Sequence, residues 1–193
     1  MSKSEELADL KKECLSCLRC ELGKTRNNIV FSDGNPDSAK YILIGEAPGE
    51  NEDLTGTPFV GRAGKLLNEF LIQAGISRQE DLYIINTVKC RPPKNRVPSD
   101  FEKEQCRNFI ERQIKIVNPK AIILCGATAL KSFYTTKIPI SKIRGEWLKI
   151  NVNNIEYNAM AIFHPSFLLR NHSMEVGKPR WLMLEDLKRI KNM

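Results

Sequence analysis

Six cysteines, at positions 14, 17, 20, 90, 106 and 125, are the residues whose spacing most narrowly limits the chemistry. Cys17 and Cys20 form a C-x2-C pair, and Cys90 and Cys106 bracket a proline-rich, basic stretch. Four thiolates from two distant segments can hold a tetrahedral zinc ion or a 4Fe–4S cluster. Cys14, Cys17 and Cys20 together also resemble the start of a bacterial ferredoxin run. That run needs a fourth cysteine at position 24, where the chain has Lys24. Cys125 ends an apolar run and reads as a buried core thiol.

Polar chemistry gathers in three further stretches, 46–61, 86–98 and 164–171. Each begins where an apolar, β-rich run ends. Tyr41–Glu46, Leu82–Val88 and Ala121–Leu124 read as buried strands, and Glu146–Val152 and Tyr157–Phe163 as two more. Between them lie helical patterns. Residues 5–20 read as a short charged helix or turn. Leu66, Leu67, Phe70 and Leu71 give Arg62–Ala74 an apolar face, with Gly75 as its stop. Ser99 and Asp100 can cap a helix reaching Val117. Ala127–Phe133 is a short helix, and Pro179 suits the first turn of a last one. Strands alternating with helices predict a three-layer αβα sandwich around a central, mostly parallel four-stranded sheet. Sites in such sheets form at the carboxyl ends of the strands, so the fold itself would assemble the three stretches.

The bulk numbers fit one domain spanning 1–193. Of 193 residues, 41% are hydrophobic and 27% charged, and no apolar run approaches the ~18 residues of a membrane span. The charged N-terminus lacks the apolar core of a secretory signal. The expected compartment is therefore the reducing cytoplasm, where clustered cysteines read as metal ligands and not as disulfides. A net charge of +7 favours a polyanionic partner.

GEAPGENEDLTGTPFVGRAG at 45–64 resembles the first motif of the family-four, iron–sulfur uracil-DNA glycosylases. NTVKCRPPKNRVP at 86–98, HPSFLLRN at 164–171 and CLRCELGKTR at 17–26 resemble further motifs of that family, in the same order. The resemblance implies a 4Fe–4S cluster in preference to zinc. It places the ligands at Cys17, Cys20, Cys90 and Cys106, with Cys14 as the alternative to Cys20, so the cluster-binding segments fall at 14–20 and 90–106. It also implies a monomer acting on uracil in single- or double-stranded DNA and releasing free uracil.

Excision breaks a C–N glycosidic bond on a base flipped out of the stack. The base leaves as an anion and the sugar becomes cation-like. On the resemblance, Glu46 and His164 are the catalytic pair. Glu46 would place the water and face the cationic sugar, and His164 would donate to uracil O2 as charge grows there. The uracil pocket would comprise Glu46, Ala47, Glu52, Phe59, Asn86 and His164. Phe59 would stack on the ring, although from the sequence by itself a core phenylalanine closing the loop is the better reading. The Asn86 amide offers donor and acceptor together, matching the uracil O4 and N3–H edge and mismatching cytosine. Its other reading is a turn cap, and that of His164 is a hydrogen-bonded strand end. Better-known uracil glycosylases carry aspartate where this chain has Ala47. They also block the thymine methyl with a tyrosine where this chain has Gly49, which leaves thymine rejection to Glu52 or the loop backbone. Asp53 reads as structural.

DNA contacts are expected from Lys89, Arg91, Lys94, Arg96 and Arg170, with Lys178 and Arg180 as possible additions. Leu168 or Leu169 would wedge into the emptied stack, unless both simply pack under the next segment. Two other readings compete: a cluster-bearing DNA-binding relative without excision, and a variant that traps the abasic product covalently. The trapping subgroup carries an added histidine near 91–98, and RPPKNRVP has none.

Overall fold

Pure apolar runs set the centre of the molecule. The computed structural model describes residues 2–193. In chain order the elements are α1 (Lys3–Leu15), α2 (Leu22–Thr25), β1 (Tyr41–Gly45), α3 (Glu50–Thr55), α4 (Arg62–Gln73), β2 (Leu82–Asn86), α5 (Asp100–Val117), β3 (Ala121–Cys125), α6 (Ala127–Phe133), α7 (Ile140–Ile143), β4 (Trp147–Val152), β5 (Ile155–Ile162), α8 (Pro165–Leu168) and α9 (Pro179–Lys191). Strands β1, β2 and β3 are buried at every position, as parallel strands covered on both faces must be.

The sheet order is β2-β1-β3-β5-β4. The first four strands in that order run parallel, and β4 lies antiparallel to β5 at the edge. The sheet therefore has five strands, not the four expected. The fifth joins through a two-residue hairpin at Asn153 and Asn154, with φ of 50° and 63°. Asparagine tolerates that left-handed backbone, and two such residues make the tight turn that matches strand twist.

Alternate residues of each strand feed two cores. Ile42, Ile44, Ile85, Ile122 and Leu124 pack with residues of α1 and α5 on one face. Leu43, Ile84, Ile123, Met160 and Ile162 pack with Leu67, Phe70 and Leu71 of α4 and Leu187 of α9 on the other. This is the three-layer sandwich. Burying each leucine or phenylalanine contributes about 1.5–3 kcal/mol, and the helical spacing of Leu67, Phe70 and Leu71 fixes which side of α4 turns inward. Ser99 caps α5 reciprocally with Glu102, so that helix starts where its cap residues dictate.

The chain reverses direction across the sheet between β1 and β3, because β1 also borders β2. That is the switch point where open α/β sheets form their crevices.

Candidate active site

The carboxyl ends of the parallel strands deliver the predicted residues to one place. Glu46 follows β1, Asn86 ends β2, and His164 lies two residues beyond β5. A cavity of about 210 Å³ opens there, and Glu46, Ala47, Glu52, Phe59, Asn86 and His164 all line it. It is smaller than the ~300 Å³ of clefts for drug-sized ligands, which suits a single ring.

Two glycines permit the close packing of this wall. A Cβ on Gly45 would lie 2.4 Å from Asn86 Oδ1 and 2.6 Å from Phe59 Cζ. A Cβ on Gly64 would lie 1.9 Å from the Phe59 carbonyl oxygen. Phe59 itself has φ of 53°, an uncommon conformation for a bulky side chain that its surroundings must enforce. Arg78 supplies much of that enforcement. Its guanidinium donates to the Phe59 carbonyl at 3.1 Å, the Pro58 carbonyl at 2.6 Å and Asn68 Oδ1 at 2.8 Å. Asp33 Oδ2 accepts from Arg78 Nε at 2.8 Å.

Glu52 sits in the wall, and its carboxylate is engaged with backbone. Oε1 accepts from the N–H groups of Val60 at 2.9 Å and Gly61 at 2.8 Å, and Oε2 accepts from Gly49 N–H at 3.1 Å. It thus ties the two sides of the loop together. Asp53 is structural as expected, accepting from the backbone of Asn27 at 3.0 Å and Asn28 at 3.3 Å.

His164 caps α8, its Nδ1 accepting from Ser166 N–H at 3.2 Å. An accepting Nδ1 carries no proton, so the neutral ring bears its proton on Nε2. Burial pulls the imidazole below its ordinary 6.5, against the opposing pull of Glu46 and Glu52. The ring centroid lies 6.0 Å from that of Phe59. Glu46 Oε2 accepts a hydrogen bond from the Thr128 hydroxyl, and its main-chain carbonyl accepts from Thr87 Oγ1 at 2.5 Å. Thr87, Thr128 and Arg78 were not singled out from sequence. Thr128 follows β3, so the rule of strand carboxyl ends pointed to its neighbourhood, but nothing distinguished this hydroxyl from others.

A separate cavity is walled by cysteines. Cys14, Cys17, Cys20, Cys90 and Cys106 line it together with Lys89 and Arg26. Cys125 is elsewhere, fully buried in β3. Burial pushes the Cys14 thiol up to about 12 and Cys106 to about 11, and raises Cys90. Among the described residues, no group of three cysteine, histidine or acidic side chains is arranged as ligands of a single metal ion. The Arg26 guanidinium bridges the segments, donating to the Cys17 carbonyl at 2.7 Å and to Cys90 Sγ at 3.5 Å. Ala47 lines the first cavity and packs against the small cluster of Leu22, Val88, Cys90 and Cys106, two of whose cysteines line the second.

A sequence model of the uracil DNA glycosylase superfamily matches residues 31–188. The chain belongs to that superfamily. A type-4 uracil-DNA glycosylase from Thermotoga maritima is 45% identical over 197 residues, covering 100% of this chain and 97% of the relative. Proteins of the same name from Archaeoglobus fulgidus and Sulfurisphaera tokodaii are 40% and 35% identical, covering 86% and 98% of this chain and 84% and 85% of theirs.

Around the mouth of this glycosylase-type cavity the expected DNA contacts divide. Lys89 is corrected: it is 1% exposed, and its ammonium donates inward to the Phe31 carbonyl at 3.1 Å. Position 89 continues the buried path of β2 toward Cys90, so its charge faces the cysteine cavity and not solvent. Leu168 is corrected too, because it is fully buried in the core beside α4 and α9. Arg96 borders the cavity, but its guanidinium grips Glu102 at 2.6 and 2.8 Å. Arg91 donates to Asn95 Oδ1 at 2.7 Å. Lys94 and Arg170 are exposed, and Leu169 is half-buried. Lys178 is exposed, and Arg180 donates to the Leu168 carbonyl at 3.2 Å. Phe167, overlooked in sequence, is 46% exposed beside the site. No helix is long and apolar enough to cross a membrane among the described residues.

Proposed function

We propose that this chain flips uracil out of DNA and hydrolyses its N-glycosidic bond, leaving an abasic site and free uracil. The observation that carries the reading is the convergence of Glu46, Asn86 and a tautomer-fixed His164 on one ring-sized cavity. Phe59 offers a face for the flipped ring. The Asn86 amide N–H donates to O4 while its oxygen accepts from N3–H. Cytosine would present a donor where the first needs an acceptor, and so leaves buried polar groups unpaired. As the bond breaks, the His164 Nε2–H donates to O2, in a site whose donor is already oriented. Thr128 holds one oxygen of Glu46, leaving the other to face the sugar and hold the attacking water. With no side chain at Gly49, exclusion of the thymine methyl falls to the loop backbone that Glu52 fixes.

The cysteine cavity fits a 4Fe–4S cluster in its donor chemistry. Among the described residues its wall carries five thiols and no carboxylate or imidazole, and the Arg26 guanidinium donates to Cys90 Sγ. Cys17, Cys20, Cys90 and Cys106 would be the ligands, with Cys14 packed behind them in the α1 core. When bound, the cluster supplies a rigid cross-link between residues 14–20 and 90–106. Ala47 transmits that rigidity to the base pocket. The protein's own contribution to DNA binding comes from Lys94 and Arg170, backed by Arg91 and Arg96. Leu169 and Phe167 fill the gap left in the stack. The chain acts as a monomeric single domain in the cytoplasm.

Incubation with uracil-containing single-stranded DNA, then alkali and a denaturing gel, tests the reading. Strand cleavage at uracil supports it. A protein–DNA adduct would favour the covalent trap, and intact DNA a binding module.

A further inference from the structure

Lys89 is a buried cation whose visible contacts do not balance its charge. Its ammonium donates to the Phe31 carbonyl and lies 5.5 Å from the centre of the Phe31 ring. Gln113 Nε2 shares the same carbonyl at 3.2 Å. These partners are dipoles and a π face, not anions. The cavity beside it carries no carboxylate among the described residues; its titratable anions in waiting are the thiols of Cys14, Cys17, Cys20, Cys90 and Cys106. Taking an ammonium out of water costs several kcal/mol unless an opposite charge accompanies it. Arg26 adds a second cation at the rim, on Cys90 Sγ.

We propose that Lys89, with Arg26 in support, is the counter-charge of the cysteine-bound cluster and raises its reduction potential. The inference rests on the cluster reading above. A 4Fe–4S core with four thiolates is net anionic, and adding one electron makes it more so. A fixed positive charge in the same low-dielectric cavity stabilises both states, and the reduced one more. Lys89 is thereby a positioning and tuning residue, not a DNA contact and not a catalytic one.

The test uses iron-loaded parent, Lys89→Met, Lys89→Arg and a surface control, Lys115→Met, all without DNA. Iron per chain, circular dichroism and the midpoint potential in film voltammetry are read. Lys89→Met keeps the unbranched stem, removes the ammonium and its charge, and is expected to shift the reduction equilibrium about tenfold toward the oxidised state, ~59 mV for one electron. Lys89→Arg and Lys115→Met are expected close to the parent. The shift should persist in high salt, because buried charges are poorly screened. A loaded Lys89→Met at the parent potential overturns the proposal. So does equal loss of iron in Lys89→Met and Lys89→Arg, which would mark a role in shape alone. Folded but iron-free Lys89→Met beside loaded Lys89→Arg supports it. Should Lys89→Met fail to fold, Arg26→Gln carries the test, with a smaller drop expected and no drop overturning the proposal. A parent without iron would instead remove the cluster reading itself.

Discussion

At the residue scale the chemistry turns on which nitrogen of His164 holds the proton. The Ser166 N–H occupies Nδ1, so on the proposed reading the donor to the leaving base would be Nε2. Losing one oriented donor to a developing oxyanion costs on the order of a hundredfold in rate. His164→Ala is therefore expected to slow single-turnover excision by about that factor, with DNA affinity nearly unchanged. The pH profile follows with a definite sign. Acid would place a second proton on Nδ1, against the Ser166 N–H, and disrupt the donor geometry. Burial already depresses the imidazole below 6.5, so the rate should hold through neutrality and fall only as pH drops below that value. A midpoint above 6.5 in the single-turnover profile would contradict the assignment. Glu46→Gln should also slow chemistry while sparing binding, and Asn86→Asp should lose the fit to O4.

Elements explain why these residues meet. Glu46, Asn86 and His164 were legible because each closes an apolar run, and parallel sheets place such ends on one side. Ser99 as a helix cap and the 66–71 apolar face were legible for the same kind of local reason. The fifth strand's pairing was not, because two asparagines at 153 and 154 announce a hairpin less clearly than Asn-Gly does. Nor was the burial of Lys89, or which of Leu168 and Leu169 turns inward: a lysine in a basic run and paired leucines in a loop give no local sign of direction. Arg78 was equally silent, since it acts through carbonyls nineteen and twenty residues away. Its removal leaves the carbonyls of Pro58 and Phe59 without their donor and frees the strained Phe59 loop. Arg78→Ala is expected to destabilise the fold by roughly 1–3 kcal/mol and to lower excision of uracil further than that loss explains. Thermal unfolding and single-turnover rates, measured together, check it; a parent-like rate at a temperature where the variant is fully folded would contradict it.

Across the whole molecule, two distant segments meet at the cysteine cavity, and on the proposed reading a bound cluster would fix their mutual placement. Serine at Cys17, Cys20, Cys90 or Cys106 is expected to abolish stoichiometric iron, about four per chain in the parent, whereas serine at Cys14 or Cys125 is expected to retain it. Loss at Cys14 with retention at Cys20 would move the ligand set by one cysteine. The net charge of +7 works at this scale too, as an attraction for phosphate that reads no sequence. Lys94 and Arg170 are exposed cations within the loops 86–98 and 164–171, in contrast to Arg96, which Glu102 already neutralises. Replacing both with alanine should weaken binding to every DNA substrate and reduce the slope of log affinity against log salt by up to about two. An unchanged slope would put the DNA on another face.

Excision of uracil by hydrolysis is the activity proposed for the 210 Å³ cavity. Its most direct measurement counts free uracil and abasic sites released from uracil-containing DNA in a single turnover, for the parent and for Glu46→Gln. The expected result is one uracil per abasic site from the parent and a sharply slower release from the variant at equal DNA binding. No free uracil from the parent, or parent-like release from Glu46→Gln, would contradict it.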